Sequence, residues 1–433
     1  MILKIKNFLV SYKDLSLKPK YLLLVFVLAC FLIIIRRMDL VFNAQFWAED
    51  GTIWFAEIYN LGWWPTIFTP EAGYLQTISR LVGLMAQFLP LVYAPLFFNL
   101  AAVAIKALPV VYLFSNRWQK IIPNFWFKII VALVYLFLPN TAEVHANITN
   151  AQWFLALLSL MILLGEVPVK KYLKVLDASI LGIACISGPF SAFLLPIIFL
   201  AWFWLPQKRN VLNVIVVGLA GLVQVFFILA VGFSARSHMA LGATFWLFVK
   251  IFSGQIVLGS LIGKVGFAYL YNRWLVWENW LGITIYLSAF VVGVVVISLT
   301  LWKAKKEVKL IVLFGLIVLL FSLLKPMASV TIPQWQVMVM PGAAGRYWLF
   351  PMLAFVFSLL YLVTQSQWPK IKILAVMVCV FWLWGLKVEG IYPAWPDLKF
   401  KENVKIFEQV PVGTEMKFKT MPESWYGMVL NKK

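Results

Sequence analysis

Residues 21–37 read YLLLVFVLACFLIIIRR. From Leu22 to Ile35 no side chain is polar, and Arg36-Arg37 then close the run. A backbone in hydrocarbon must satisfy its own hydrogen bonds, so such a run forms a helix, and about 17 to 25 apolar residues cross a bilayer. It does not read as a cleavable leader, because twenty residues precede it and no small-residue cleavage site follows. Outward from it the same chemistry recurs. The 433 residues are 63% hydrophobic and only 12% charged, whereas soluble domains run near half apolar and a quarter charged. The apolar runs are continuous rather than alternating, which excludes a β-barrel. An all-α polytopic membrane protein is expected, with about eleven transmembrane helices near 21–36, 93–115, 124–139, 151–166, 175–189, 190–206, 211–233, 279–302, 308–325, 346–364 and 371–388. Around SGPFSAFLLP, Pro189 and Pro196 are expected to interrupt the helix.

The net charge of +20 would suggest nucleic acid in a soluble protein, but here it sorts by side. With the N-terminus in the cytoplasm, one set of connections holds Lys4, Lys6, Lys13, Lys18 and Lys20, then Arg117 and Lys120, Lys170, Lys171 and Lys174, Lys208 and Arg209, Lys303, Lys305, Lys306 and Lys309, and Lys370 and Lys372. The other set is longer and holds most acids. This predicts a plasma-membrane protein with its C-terminus outside and no nucleic-acid partner. Residues 1–388 form the membrane domain, with a first outer loop at 37–92. Within it GTIWFAEIYNLGWW and GYLQTISRLVGLMAQFLP suit helices lying at the interface. Residues 244–263 are apolar enough to span, yet crossing would invert the sidedness of KAKKEVK, so they read as surface-lying or re-entrant. The tail 389–433 is polar and predicts a small outer cap, with strands at TEMKFKT and SWYGMVL. Cys30, Cys185 and Cys379 lie inside apolar runs and read as core residues.

Just past the first run stands FWAEDGTIWFAEIYN, residues 46–60. Asp50 suits a helix N-cap. The adjacent Glu49 and Asp50 also lie among tryptophans, where desolvation raises a carboxyl pKa toward use as a general base, and either acid could ligate a divalent ion such as Mg or Mn. The loop continues with Glu71, Tyr74 and Arg80. The next outer loop, PNTAEVHANITNAQW, offers Glu143, His145 and Asn147: a hydrophilic turn, or groups for sugar hydroxyls, with His145 a further metal candidate. Arg80, Arg236, Lys250, Lys264, Arg273, Lys325 and Arg346 bring positive charge to this side. Lys325 and Arg346 flank one Gly/Pro-rich loop. They suit either headgroup snorkelling or the grip of a lipid phosphate. Acids on the first loop and bases on later ones suit a lipid-linked phosphate donor, the cations holding the leaving group and a carboxylate activating the attacking hydroxyl.

On FWAEDG, PEAGYLQTISRL, SGPF at 187–190 and GRYWLFP at 345–351, the chain resembles the GT-C superfamily of integral membrane glycosyltransferases, in an uncharacterised bacterial branch. The resemblance implies a polyprenyl-phosphate-linked sugar as donor and a glycan, lipid or protein as acceptor. It makes Asp50 or Glu49 the catalytic carboxylate and Arg346, then Lys325, the contact to lipid phosphate. The chain lacks the large soluble outer domain of oligosaccharyltransferases. Rival readings are a transporter or flippase, for which Lys106 is the one charge seen deep in a span, and a polymerase or ligase of lipid-linked glycans.

Overall fold

The computed structural model describes residues 19–232, 237–365, 369–423 and 427–433. Lys4, Lys6, Lys13, Lys18 and Arg236, and the start of SWYGMVL, lie outside these. Each anticipated apolar stretch falls on a helix: α1 (Pro19–Arg36), then, after α2 (Thr77–Ala86) in the first loop, α3 (Ala94–Phe114), α4 (Phe125–Leu136), α5 (Ala151–Leu164), α6 (Lys171–Cys185), α7 (Phe190–Trp204) and α8 (Val211–Phe227). Two helical arms follow, α9 (Phe245–Ile251) and α10 (Gly259–Leu270), then α11 (Trp280–Lys303), α12 (Lys306–Leu324), α13 (Leu349–Gln365), α14 (Pro369–Glu389) and a short α15 (Phe400–Gln409). Six stretches among the described residues are long and apolar enough to cross a membrane: Leu91–Phe114, Val211–Val231, Phe245–Leu275, Trp280–Lys303, Lys306–Leu324 and Gly345–Thr364. The chain is an all-α multi-pass membrane protein. Its outward surface agrees: Leu219, Leu222 and Phe226 on α8, and Leu287 and Val291 on α11, are exposed apolar side chains that need lipid against them.

Local chemistry sets the helix starts. Asn124, Thr244 and Asn279 each accept a hydrogen bond from the amide three residues on, satisfying a donor that the first turn leaves open. Pro196 does not interrupt its helix, contrary to expectation. It sits inside α7, while Pro189 stands just before the first turn. Packed helices compensate for a lost backbone bond inside a membrane bundle. Helix α1 packs on α3, α3 on α5, α7 on both α8 and α12, and α12 on α13. Trp153, Phe190, Phe314 and Phe350 interlock where α5, α7, α12 and α13 meet, with Trp153 and Phe190 rings 4.6 Å apart.

The stretch Phe245–Leu275 turns back on itself. Gly263 adopts φ 75° and ψ 174°, which breaks the helix, and a Cβ there would stand 2.7 Å from the Glu389 carboxyl. Past the break Phe267 lies over Gly254, and Leu275 joins Val249 in one small core with Tyr286. Lys250 on the first arm pairs with Glu278 just beyond the second. Glu389 clamps the bend by accepting from the amides of Asn140 (2.6 Å) and Val265 (2.9 Å).

The tail folds onto the first loop. Strands β1 (Glu415–Phe418) and β2 (Met428–Asn431) pair antiparallel. Phe400 and Phe418 join Phe46, Phe55 and Phe98 in a second core. The Ala48 amide donates to the Met421 carbonyl and the Met421 amide to the Phe46 carbonyl across the junction, and Asn60 bonds both the carbonyl of Val429 and the amide of Asn431.

Candidate functional site

The first loop re-enters helix at the acid pair itself. Ala48 takes φ 35°, and residues Asp50–Phe55 wind as a π-helical turn. This geometry separates the two neighbours. Asp50 is fully buried and accepts from the Ile148 amide (3.0 Å), the Thr149 amide (2.7 Å) and the Thr149 hydroxyl (2.7 Å). It staples the second loop to the first and does not line the cavity described below. Burial raises its pKa to about 7, against the lowering effect of the three donors. Glu49 is half-buried and does line the cavity. Burial raises its pKa too; Arg346 opposes that rise, while Glu143 and Glu71 add to it.

That cavity measures about 760 Å³. One wall is polar: Glu49, Glu71, Tyr74, Gln76, Thr149, Asn150 and Gln152. Lys325, Arg346 and Tyr347 form a second face. An apolar wall of Phe193, Val225, Ile228, Val318 and Phe321 comes from α7, the end of α8 and α12. His238 and Ser237 complete the rim. Arg346 is held in place: its guanidinium bonds Glu143 at 2.7 Å and the Met327 carbonyl at 3.3 Å, while the Met327 amide donates to the Tyr347 hydroxyl. These bonds tie the segment following Lys325 to the start of α13.

Glu71 and Tyr74 face the cavity from a tight turn, with Ala72 at φ 52°, Gly73 at φ 89° and reciprocal backbone bonds between Glu71 and Tyr74. Burial raises the Glu71 pKa, with Glu57 adding to the rise and Arg80 opposing it.

Other expected residues go elsewhere. Arg80, read as a phosphate ligand, is 1% exposed, pairs with Glu57 at 2.5 Å, lies over the Trp54 ring and does not reach the cavity. A long side chain beneath an amphipathic helix finds its partner in the loop core rather than at the membrane edge. His145 is fully buried. Its Nδ1 lies 3.1 Å from Lys106 Nζ and its Nε2 lies 3.1 Å from the Ile33 carbonyl. The Ile33 carbonyl can only accept, so Nε2–H donates to it and Nδ1 is left to accept from Lys106 on a neutral ring. Burial and the charges of Lys106, Arg36 and Arg37 all lower its pKa. Asn147 is a turn-former, bonding the Glu143 carbonyl and the Asn150 amide. Glu143 serves the site through Arg346. The metal candidates Glu49, Asp50 and His145 do not gather: among the described residues no three His, Cys, Asp or Glu side chains come together to hold an ion. This donor set does not fit a divalent cation.

Asn150, in the second outer loop with Glu143, His145 and Asn147, does line the cavity; sequence reasoning missed Gln76, Gln152 and His238. A lone amide beside an apolar run has no pattern to betray it. No family model, no curated protein and no solved structure matches the chain.

Proposed function

We propose that the chain is a membrane glycosyltransferase of GT-C type, set in the plasma membrane with its N-terminus cytoplasmic. On this reading it moves a sugar from a polyprenyl-phosphate donor to an acceptor hydroxyl at the extracytoplasmic face. One observation carries the reading: Glu49, Lys325 and Arg346 line the same cavity, one wall of which is apolar and supplied by membrane helices. Such a site accommodates a lipid phosphate and a hydroxyl nucleophile together. Glu49 takes the proton of the acceptor hydroxyl. The acceptor oxygen bonds the anomeric carbon as the bond from that carbon to the phosphate oxygen breaks. The electron pair leaves on the phosphate, where Arg346 and Lys325 balance the added charge. A carboxyl with a raised pKa is a better base near neutrality than an exposed one. Asp50 supports the step indirectly, by fixing Thr149 and the second loop. Lys106, the charge that would favour a transporter, is bound to His145 and does not line the cavity.

The test is turnover of purified protein in lipid with a panel of polyprenyl-phosphate sugars. The parent turns over at least one donor, and Glu49→Gln loses about 10²- to 10⁴-fold in rate, as removal of a general base predicts. No turnover with any donor, or an equal rate for the variant, contradicts the assignment.

A further inference from the structure

The polar wall of the cavity has a sign of its own. Its groups divide by position: Lys325 and Arg346 come from the ends of α12 and α13, whereas Glu71, Tyr74, Gln76 and Gln152 come from the first loop and the start of α5. Glu49 stands between, since its electrostatic neighbours include both Arg346 and Glu71. Among the described residues the cation that acts on Glu71 is Arg80, which is buried in its pair with Glu57.

Gln152 supplies an independent observation. It is 6% exposed and lines the cavity. Its amide nitrogen donates to the Gln76 side chain (3.2 Å) and to the Thr149 carbonyl (3.2 Å), which fixes the amide orientation because a backbone carbonyl can only accept. Its buried oxygen, Oε1, has no partner. A buried acceptor without a donor is costly to keep. Gly188 makes room for that oxygen: a Cβ there would lie 2.2 Å from it. The fold therefore keeps an unsatisfied acceptor just behind the cavity wall, against Gly188.

The same wall is held from inside the membrane. Gln224 on α8 is fully buried and mimics a backbone partner for Leu75, accepting from its amide at 3.0 Å and donating to its carbonyl at 3.0 Å. A polar side chain inside a span is costly to bury. Here it fixes the turn that presents Glu71 and Tyr74.

Building on the glycosyltransferase reading, we infer that this wall is the subsite for the transferred sugar, and that it takes a ring recognised through its hydroxyls and bearing no carboxylate. Sugar hydroxyls donate to Glu71, and to Gln152 Oε1 once that amide turns toward the cavity. A uronic acid meets the Glu71 carboxylate, whose neighbouring cation Arg80 is already paired with Glu57, and like charges brought together without compensation are strongly disfavoured.

The experiment measures binding of two probes to the full-length protein in lipid nanodiscs: undecaprenyl-phosphate glucose and undecaprenyl-phosphate glucuronic acid. The glucose-bearing lipid binds at least tenfold more tightly. Glu71→Gln narrows the gap by weakening repulsion of the acid. Gln152→Leu weakens glucose-lipid binding several-fold while leaving binding of undecaprenyl phosphate alone unchanged. Because Gln152→Leu can fail to fold, Gln152→Glu serves as a second variant. It keeps the shape, adds charge and widens the gap. Equal binding of both lipids by the parent, or an unchanged gap in Glu71→Gln, overturns the subsite and leaves the enzyme assignment standing. Failure of the parent to bind either lipid or undecaprenyl phosphate overturns both.

Discussion

The two ends of the bundle handle charge in opposite ways. At the end formed by 115–124, 165–171, 205–210 and 303–306, bases outnumber acids and the nearby acids Glu166, Asp177 and Glu307 are each paired. Lys208, with its side chain 4% exposed, reaches Glu307 at 2.9 Å, Glu166 at 3.6 Å and the Leu164 carbonyl at 2.8 Å. Arg117 grips Asp177 with both terminal nitrogens. These bonds lace four connections together. At the other end, Glu49 and Glu71 meet a 760 Å³ cavity, and neither has a direct ion-pair partner among the described residues. Arg346 is paired to Glu143 yet still faces the space. Charge that is mutually satisfied stabilises the fold. Charge that is positioned but left facing a cavity is available for a ligand.

Substitutions that exchange these roles test the contrast. The largest effect is on rate. Arg346→Ala lowers turnover of a polyprenyl-phosphate sugar by about 10²- to 10³-fold, as loss of a leaving-group contact predicts, while the melting temperature moves little. Lys208→Ala does the reverse: it leaves two acids without their buried partner and costs about 3 kcal/mol in stability, read by thermal unfolding in detergent, with turnover per folded molecule unchanged. Asp50→Asn has a smaller signature, in pH dependence. The folded pKa of Asp50 is raised to about 7 from an ordinary 3.8, so the folded state binds the extra proton and stability falls as pH rises between those values. Melting curves from pH 4 to 8 show a shallower decline in the variant. Smallest is Lys120→Ala. Its side chain is 77% exposed and bonds the same Glu166 that Lys208 reaches, so it costs less than about 1 kcal/mol.

The helices were legible because each is an unbroken apolar run, and lipid leaves such a run one conformation. The staple end was legible only as a set of basic loops. Its acids, Glu166, Asp177 and Glu307, are few and local, so their pairing follows once the helices pack. The cavity end was half legible. The acid pair at 49–50 announced a site, but which acid faces it depends on a π-helical turn that no residue pattern signals. Lys325 and Arg346 stood out because they break the charge asymmetry. Arg80, one of the same outer-side cations, and Arg36, which closes the first run, proved to be internal fasteners. Arg36 bonds the carbonyls of Leu136 and Glu389 and the Tyr392 hydroxyl, partners that lie 100 to 356 residues away in sequence. Partners at that range leave no trace in a local reading. Gln152 and Gln224 act as single amides and were invisible for the same reason.

Photocrosslinking decides most directly which end receives the lipid phosphate. A polyprenyl phosphate carrying a photoreactive group next to the phosphate is bound to the protein in nanodiscs, irradiated, and the labelled peptides are mapped by mass spectrometry. Labelling concentrated at 318–327 and 345–347, lost in Arg346→Ala, is the predicted result. Labelling at 201–214, between the stapled loops, contradicts it.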